Sequence, residues 1–218
     1  MIVSDVKTRV KRKFGDEANV QLDEADIVRW INDAQRDIVM KNETVLQTTS
    51  LANAVANQQD YSLPANLLVL RGVHFKLDGN PSYYRLEGMS FNEFDEQING
   101  WEGTLYGASV PTVYTTYGGA IKVFPIPVSS GTSNFKLYYS RQPVDVVNDS
   151  DSLDLPLAYH NSIVDYCMAQ AYEMDEDWAS ANNSSATYDT RVRLNKEREE
   201  WGNHEFYPRI NVDIEDLW

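Results

Sequence analysis

The chain has 218 residues, 42% apolar and 24% charged, so it can bury the core of one sizeable domain, or of a domain carrying an insertion. Its formal net charge is −14, and a surface this acidic repels nucleic-acid phosphates, which argues against a conventional DNA-binding protein. No apolar run approaches the ~20 residues that span a membrane, and the first residues lack the apolar core of a signal peptide. We therefore expect no membrane association.

The first predicted helix covers residues 4–14 and ends at Gly15, because its apolar residues lie along one side and a glycine commonly follows a helix. It is the only strongly basic stretch of the chain. Two interpretations of its cations stay open: a solvated helix face, or docking against acidic surface on a neighbouring chain. The basic residues are Lys7, Arg9, Lys11, Arg12 and Lys13.

A second helix is predicted over residues 23–42, with Asp23 as its N-cap and a broad apolar face. From residue 45 the pattern changes to short β-branched and aromatic runs between turn residues, which is typical of strands. Asp78-Gly79-Asn80-Pro81 is predicted to be a hairpin link, and Gly118-Gly119 a two-residue turn between strands.

Two features lie within and after this β-rich region. Ser90 and Glu93 form a capping box for a short helix near residues 90–99. A third long helix is predicted over residues 157–175, where apolar residues recur at three- and four-residue steps. These residues are Leu157, Ile163, Val164, Cys167, Met168, Ala171 and Tyr172. We expect the helix at 23–42 to cover this stripe.

A last helix is predicted over residues 178–201, after an exposed run of four acids at 173–177. Beyond it, apolar and polar residues alternate in a segment that is typical of a lone strand seeking a sheet edge. Docking on a partner and docking on the chain's own β region stay equally open. The candidate partner-binding residues of this tail are Phe206, Tyr207, Ile210, Val212, Ile214, Leu217 and Trp218.

The sequence carries no recognised catalytic or phosphate-binding motif, so we predict neither an enzyme nor a cofactor. The histidines are scattered, and His160 is predicted to be a surface or capping residue. Cys167, the single cysteine, is interpreted as a small apolar residue on a helix face. Four aspartates could wrap a cation, but their loop lacks the glycine and the distal glutamate of an EF-hand, so turns are favoured over an ion site. They are Asp145, Asp149, Asp151 and Asp154.

These elements predict an α+β fold, in which a helical bundle is interrupted by an antiparallel β-sandwich or barrel-like insertion and followed by an extended C-terminal tail. The predicted domains are a helical core of residues 1–44 and 153–203, a β-rich insertion of residues 45–152, and a tail of residues 204–218.

Several short motifs follow one another in a characteristic order over residues 5–201. They are a helix like that at 27–39, Asp60-Tyr61-Ser62-Leu63-Pro64, Tyr84-Arg85-Leu86-Glu87, the helix at 90–96, Pro111-Thr112-Val113-Tyr114, Ile121-Lys122-Val123-Phe124-Pro125-Ile126-Pro127, Leu137-Tyr138-Tyr139, Leu155-Pro156 with Tyr159-His160, and Ala171-Tyr172 before an acidic run. In this order, the chain resembles the head-to-tail adaptor (connector) proteins of tailed bacteriophages.

The resemblance implies a structural virion protein that forms a ring, typically of twelve copies, between the portal and the tail. The ring would extend the DNA channel and dock the next tail component (a nozzle, stopper or tube protein). The implied location is the virion neck, with host cytoplasm during assembly. DNA would pass through without specific binding, since an acidic wall lacks the cations that would hold it.

An alternative function stays open at this stage. The 13 tyrosines and 5 tryptophans would also suit a carbohydrate- or peptide-binding β module on a helical base. That module would be monomeric and would expose an aromatic groove, whereas an adaptor would assemble into rings.

Overall fold

The computed structural model describes residues 1–18, 20–43, 45–98, 101 and 108–203. Over these residues it confirms an α+β fold. The helices are α1 (Val3–Phe14), α2 (Glu24–Lys41), α3 (Phe91–Gln97), α4 (His160–Met174) and α5 (Trp178–Asn203), with a 3-10 turn at Leu157–Tyr159. The strands are β1 (Gln47–Ala54), β2 (Asp60–Ser62), β3 (Leu67–Phe75), β4 (Tyr84–Arg85), β5 (Glu87–Gly88), β6 (Ala108–Ser109), β7 (Val113–Tyr117), β8 (Ala120–Phe124), β9 (Ile126–Pro127) and β10 (Gly131–Arg141).

The chain divides into two compact units. The helical unit contains Met1–Ile38 and the described residues from Asp145 onward, and the β unit contains Val39–Val144. The division falls near the end of α2. The domain limits suggested by the sequence, at 44/45 and 152/153, lie several residues beyond this division and stay a prediction.

Short polar contacts define the start of the helical unit. Gly15 ends α1 in the left-handed conformation (φ +91°), and its N–H donates to the Lys11 carbonyl at 2.9 Å, as predicted for a glycine after a helix. The predicted cap of α2 is confirmed, since Asp23 Oδ1 accepts the Ala25 N–H at 2.9 Å. The N–H of Val3 donates to the Asp151 carbonyl at 3.0 Å, which ties the beginning of the chain to the segment that leads into α4.

Helix α4 is the most deeply buried helix of this unit, and its close neighbours are α5 and α1. Tyr172 contacts Phe14 of α1 with ring centroids 5.5 Å apart, and Tyr166 contacts Tyr188 of α5 at 5.3 Å. That α2 covers α4 stays a prediction. Helix α2 contacts this layer through the Asp37 carboxylate, which accepts a hydrogen bond from the Tyr188 hydroxyl of α5.

The apolar stripe of α4 is otherwise as predicted, with Ile163, Val164, Cys167, Met168 and Ala171 all buried. Leu157 is the exception, because 77% of it is exposed. It lies in the 3-10 turn that precedes α4, where three residues per turn shift a side chain off the stripe that an α-helix would produce.

The β unit is built from two four-stranded sheets and one short two-stranded pair. The sheet orders are β1-β10-β3-β4 and β2-β8-β7-β5, and β6 pairs with β9. The ring centroid of Phe135 in β10 lies 4.6 Å from that of Tyr61 in β2 and 4.9 Å from that of Phe75 in β3. One aromatic cluster therefore joins the two larger sheets. This core is the sandwich-like packing predicted for the insertion.

Two turns of the β unit test the local predictions. Gly118 (φ +60°) and Gly119 (φ +78°) join β7 to β8 as the predicted two-residue hairpin. Strands β3 and β4 are antiparallel, but their pairing starts at Phe75 and Tyr84, so the Asp78-Gly79 turn lies within a longer connection. The pairs β5–β7 and β6–β9 are parallel, which the sequence reasoning did not predict.

Candidate functional site

The predicted partner-binding residues of the tail lie outside the described residues; they are Phe206, Tyr207, Ile210, Val212, Ile214, Leu217 and Trp218. Among the described residues, the candidate site consists of the charged surfaces of the helical unit.

The cations of α1 divide into two groups: Arg9, Arg12 and Lys13 are exposed, as expected of a solvated face, whereas Lys7 is buried and Lys11 half-buried in ion pairs of the same unit. Lys7 Nζ contacts Glu24 at 3.1 Å and also contacts Asp149, and Lys11 Nζ contacts Glu24 at 2.6 Å. Burial alone would lower the pKa of Lys7, but its hydrogen bonds to Asp149 and Glu24 outweigh burial and raise that pKa. Hydrogen bonds from Lys11 and then Lys7 lower the pKa of Glu24.

Three of the four candidate metal ligands, Asp145, Asp149 and Asp151, make side-chain contacts within the helical unit itself. Asp145 pairs with Arg36, and Asp149 pairs with Lys7. Asp151 accepts the N–H groups of Asn148 at 2.7 Å and Val147 at 2.9 Å, as expected of an acid that makes a turn. No group of three or more potential ligands converges within the residues that the structure describes.

Three elements of the helical unit form a positively charged depression of about 370 Å³, the cationic groove. It is lined by Arg9, Arg12, Lys13, Asn161, Val164 and Arg191. Asp165 lies beside it with its side chain 8% exposed, and its carboxylate pairs with Lys13 at 3.3 Å and with Arg191. Arg9 donates to the Asn161 side chain at 3.2 Å. Arg12 is exposed and makes no hydrogen bond or ion pair within the described part of the chain.

The turn between α4 and α5 is the opposite kind of surface, and we call residues 173–178 the acidic corner. Its acids are Glu173, Asp175, Glu176 and Asp177, all exposed as predicted. Asp177 accepts the Ser180 N–H at 3.2 Å at the start of α5, and this hydrogen bonding lowers the pKa of its carboxyl. The corner also exposes two large apolar side chains, Met174 (48%) and Trp178 (63%).

His160 and Cys167 have the most reactive kinds of side chain in the helical unit, and both are buried in the packing of α4. His160 is buried, not on the surface as predicted, and its Nε2 lies 2.8 Å from the Leu155 carbonyl. Burial lowers the pKa of this imidazole. Cys167 is fully buried, as expected of a small apolar residue, and burial raises the pKa of its thiol, so it is poor as a nucleophile.

The β unit contains a depression of about 180 Å³, lined by Gln47, Thr48, Thr49, Arg71, Tyr138 and Tyr139. This volume is smaller than the ~300–1,000 Å³ of typical ligand pockets. Arg71 is already paired with Glu43 at 3.0 Å. The depression therefore does not favour the alternative of a ligand-binding β module.

No helix in the described ranges is both long and apolar enough to cross a membrane. Within those ranges, the charged groups of the helical unit form structural ion pairs and two surfaces of opposite sign. Charged surfaces of opposite sign are typical of the class of proteins that contact other proteins through charge complementarity.

A comparison with protein families identifies this class more closely. The model of the family described as SU10 adaptor protein matches residues 1–208, nearly the whole chain. The chain therefore belongs to this family of bacteriophage adaptor proteins, which are structural components of the virion neck. A search among curated proteins found no match. The resemblance to head-to-tail adaptors is thus confirmed.

Two features of the site were not predicted from sequence. The first is the pairing of both Lys13 of α1 and Arg191 of α5 with Asp165, which lies 152 positions from Lys13 and 26 from Arg191. No local pattern encodes such a contact. The second is the exposure of Trp178 and Met174, for which a signal existed: both lie within or directly beside a run of acids, where a buried core position is improbable.

Proposed function

We propose that this adaptor forms a ring of twelve copies between the portal and the tail of the virion, extends the DNA channel, and docks the next tail component. The family match over residues 1–208 is the observation that carries this proposal. The fold supports it, since a helical unit and a β unit on one chain provide separate surfaces for two different partners.

In this proposal, the helical unit and the β unit have different roles. The helical unit packs against its neighbours and the portal, because it carries the strongly charged surfaces of both signs. The β unit contacts the tail component, a nozzle, stopper or tube protein. The net charge of −14 suits a channel through which DNA slides, because DNA is held by cations that neutralise its phosphates.

The tail at residues 204–218 is proposed to dock on the portal or on a neighbouring copy, with Ile210, Val212 and Ile214 as alternate anchors. The test mixes purified chain with DNA-filled heads that lack the adaptor and measures bound chain and subsequent tail attachment. A chain ending at residue 203 should melt like the full chain but fail to dock. A matched full-length control with Asn211→Ser, on the other side of the alternation, should dock normally. Normal docking by the truncated chain would refute the role of the tail.

No reaction is part of this proposal, since the family is one of structural proteins. Assembly takes place in the host cytoplasm and the finished ring lies in the virion neck. A head preparation that binds none of the full-length chain would contradict the proposal as a whole.

A further inference from the structure

The cationic groove carries more positive charge than its own acids can neutralise. Four cations line it, Arg9, Arg12, Lys13 and Arg191, and one carboxylate, Asp165, pairs with two of them. Within the described ranges, the hydrogen-bond partner of Arg9 is the Asn161 amide, and Arg12 has no polar partner there. In a chain with a net charge of −14, such a concentration of unneutralised cations predicts an anionic occupant.

The acidic corner has the complementary properties. Glu173, Asp175 and Glu176 form no ion pair with any described residue, although Glu173 accepts a hydrogen bond from Gln170 at 3.0 Å. Trp178 and Met174 stand exposed beside these acids. Tryptophan and methionine are enriched in protein interfaces, and tryptophan is among the residues that most often form binding hot spots.

Helix α4 holds the corner of a chain away from the α4 side of that chain's own groove. Asn161 and Val164 of α4 line the groove, and the corner begins at Glu173 of the same helix. At 1.5 Å per residue, nine to twelve residues of continuous helix hold the two surfaces ~14–18 Å apart. An acidic corner that contacts the α4 side of a groove therefore belongs to another molecule.

We infer that the cationic groove of one copy receives the acidic corner of the adjacent copy, and that this contact is the subunit interface of the ring. The inference rests on the proposed ring assembly. Because groove and corner are different surfaces of the same chain, their contact is head-to-tail, and head-to-tail contacts close into rings when the rotation between copies allows it. Charge complementarity of this kind also fixes the register of neighbouring copies.

Charge reversal tests this pairing on assembled particles. The groove variant is Arg9→Glu with Arg12→Glu, two exposed residues outside the buried Asp165 pair. The corner variant is Asp175→Lys with Glu176→Lys, and a third variant combines all four changes. The control is Glu87→Lys with Glu96→Lys, which makes the same charge change as the corner variant at exposed residues of the β unit. Copies of chain bound per adaptor-lacking head are counted at the concentration that half-saturates wild type.

The expected result is roughly a tenfold loss of bound copies for the groove variant and for the corner variant, since like charges at an interface repel strongly. In the variant with all four substitutions, the number of bound copies should recover to within about threefold of wild type. The control should bind normally. Normal binding by either the groove or the corner variant overturns the inference. If bound copies are lost in the groove variant but not in the corner variant, the inference is overturned. The groove would then hold another anion, either DNA phosphate or the acidic C-terminal segment. The inference is also overturned if the variant with all four substitutions binds no more copies than the two-residue variants.

A second measurement does not require heads. Equal amounts of ¹⁵N-labelled and unlabelled wild-type chain are mixed at high concentration and coupled with a carbodiimide, which joins touching amines and carboxylates. Mixed-isotope peptides linking Lys13 to Asp175 or Glu176 are expected, and the Lys13–Asp165 link within one chain is the internal control. If wild type binds no heads, the proposed function fails while this cross-link still decides the interface. Absence of the cross-link both in solution and on any adaptor-bearing heads overturns the inference.

Discussion

Asn32 of α2 holds the backbone of Val146 by two hydrogen bonds, although 114 residues separate them. Its Nδ2 donates to the Val146 carbonyl at 3.0 Å, and its Oδ1 accepts the Val146 N–H at 2.8 Å. Val146 lies two residues after the β unit ends, where the chain re-enters the helical unit. One side chain therefore fixes the point at which the insertion returns to the helices.

Replacing Asn32 should destabilise the helical unit. Asn32→Ala removes two hydrogen bonds and leaves two backbone groups to find water, which should cost about 2 kcal/mol in the free energy of unfolding. Urea denaturation followed by circular dichroism measures this loss. Asp33→Ala is the matched control, because it removes only an exposed pair with Arg36 and should change stability by less than about 0.5 kcal/mol. Equal stability of the two variants would contradict the clamp.

The buried carboxylate of Asp165 depends on two partly exposed cations. Removing both with Lys13→Ala and Arg191→Ala leaves that carboxylate unpaired, which should cost about 3 kcal/mol. Adding Asp165→Asn should recover part of the loss, because the amide carries no charge to leave buried. Denaturant unfolding of the three variants measures the effect. A triple variant less stable than the double variant would show that the pairing does not dominate the energetics of this site.

The loop after α1 should contribute to acid sensitivity. The Asp16 carboxylate accepts N–H groups at 2.8 Å from Val20, Leu22 and Gln21, and these bonds, Val20 and Leu22 first, lower its pKa. The unfolded chain therefore binds this proton more readily than the folded chain. The stability contributed by Asp16 is present above its ordinary pKa of about 4 and is lost as pH falls through the lowered folded value.

Thermal melts between pH 7 and pH 2 measure this contribution. Asp16→Asn should have a lower melting temperature at pH 7 and a shallower decrease below pH 4 than wild type. Glu17→Gln, at an exposed neighbouring position, serves as the control and should follow the wild-type profile. If the melting temperatures of wild type and Asp16→Asn fell equally steeply below pH 4, this role of Asp16 would be contradicted.

The N-cap of α3 should make its own small contribution to the stability of the β unit. Ser90 accepts the Glu93 N–H at 3.3 Å, and Glu93 Oε2 accepts the Ser90 N–H at 3.0 Å. Ser90→Ala should cost about 1 kcal/mol, while Ser90→Gly should cost only a few tenths, because glycine is tolerated at an N-cap. Equilibrium unfolding of both variants tests the order, and a glycine variant less stable than the alanine variant would contradict it.

Features encoded by neighbouring residues could be predicted from the sequence. The caps at Asp23 and Ser90, the stop at Gly15 and the hairpin at Gly118-Gly119 each depend on contacts within a few residues, and all four are confirmed. The apolar stripe of α4 is also local, since helical periodicity alone specifies which residues share a face.

Features that depend on tertiary contacts could not be predicted. Which helices pack against α4 is decided by contacts among elements far apart in sequence, and α5 and α1 are its close neighbours here. The burial of His160 likewise depends on the Leu155 carbonyl, which accepts a hydrogen bond from the ring Nε2. The cationic groove combines three helices, so the basic run of α1 alone indicated its charge but not its shape.

The central claim is that this chain forms the ring beneath the portal, and electron cryomicroscopy of purified virions tests it most directly. The account predicts twelve copies in the neck, each with its helical unit against a neighbour's and its β unit towards the tail. Density for this chain elsewhere in the particle, or its absence from the neck, would contradict the account.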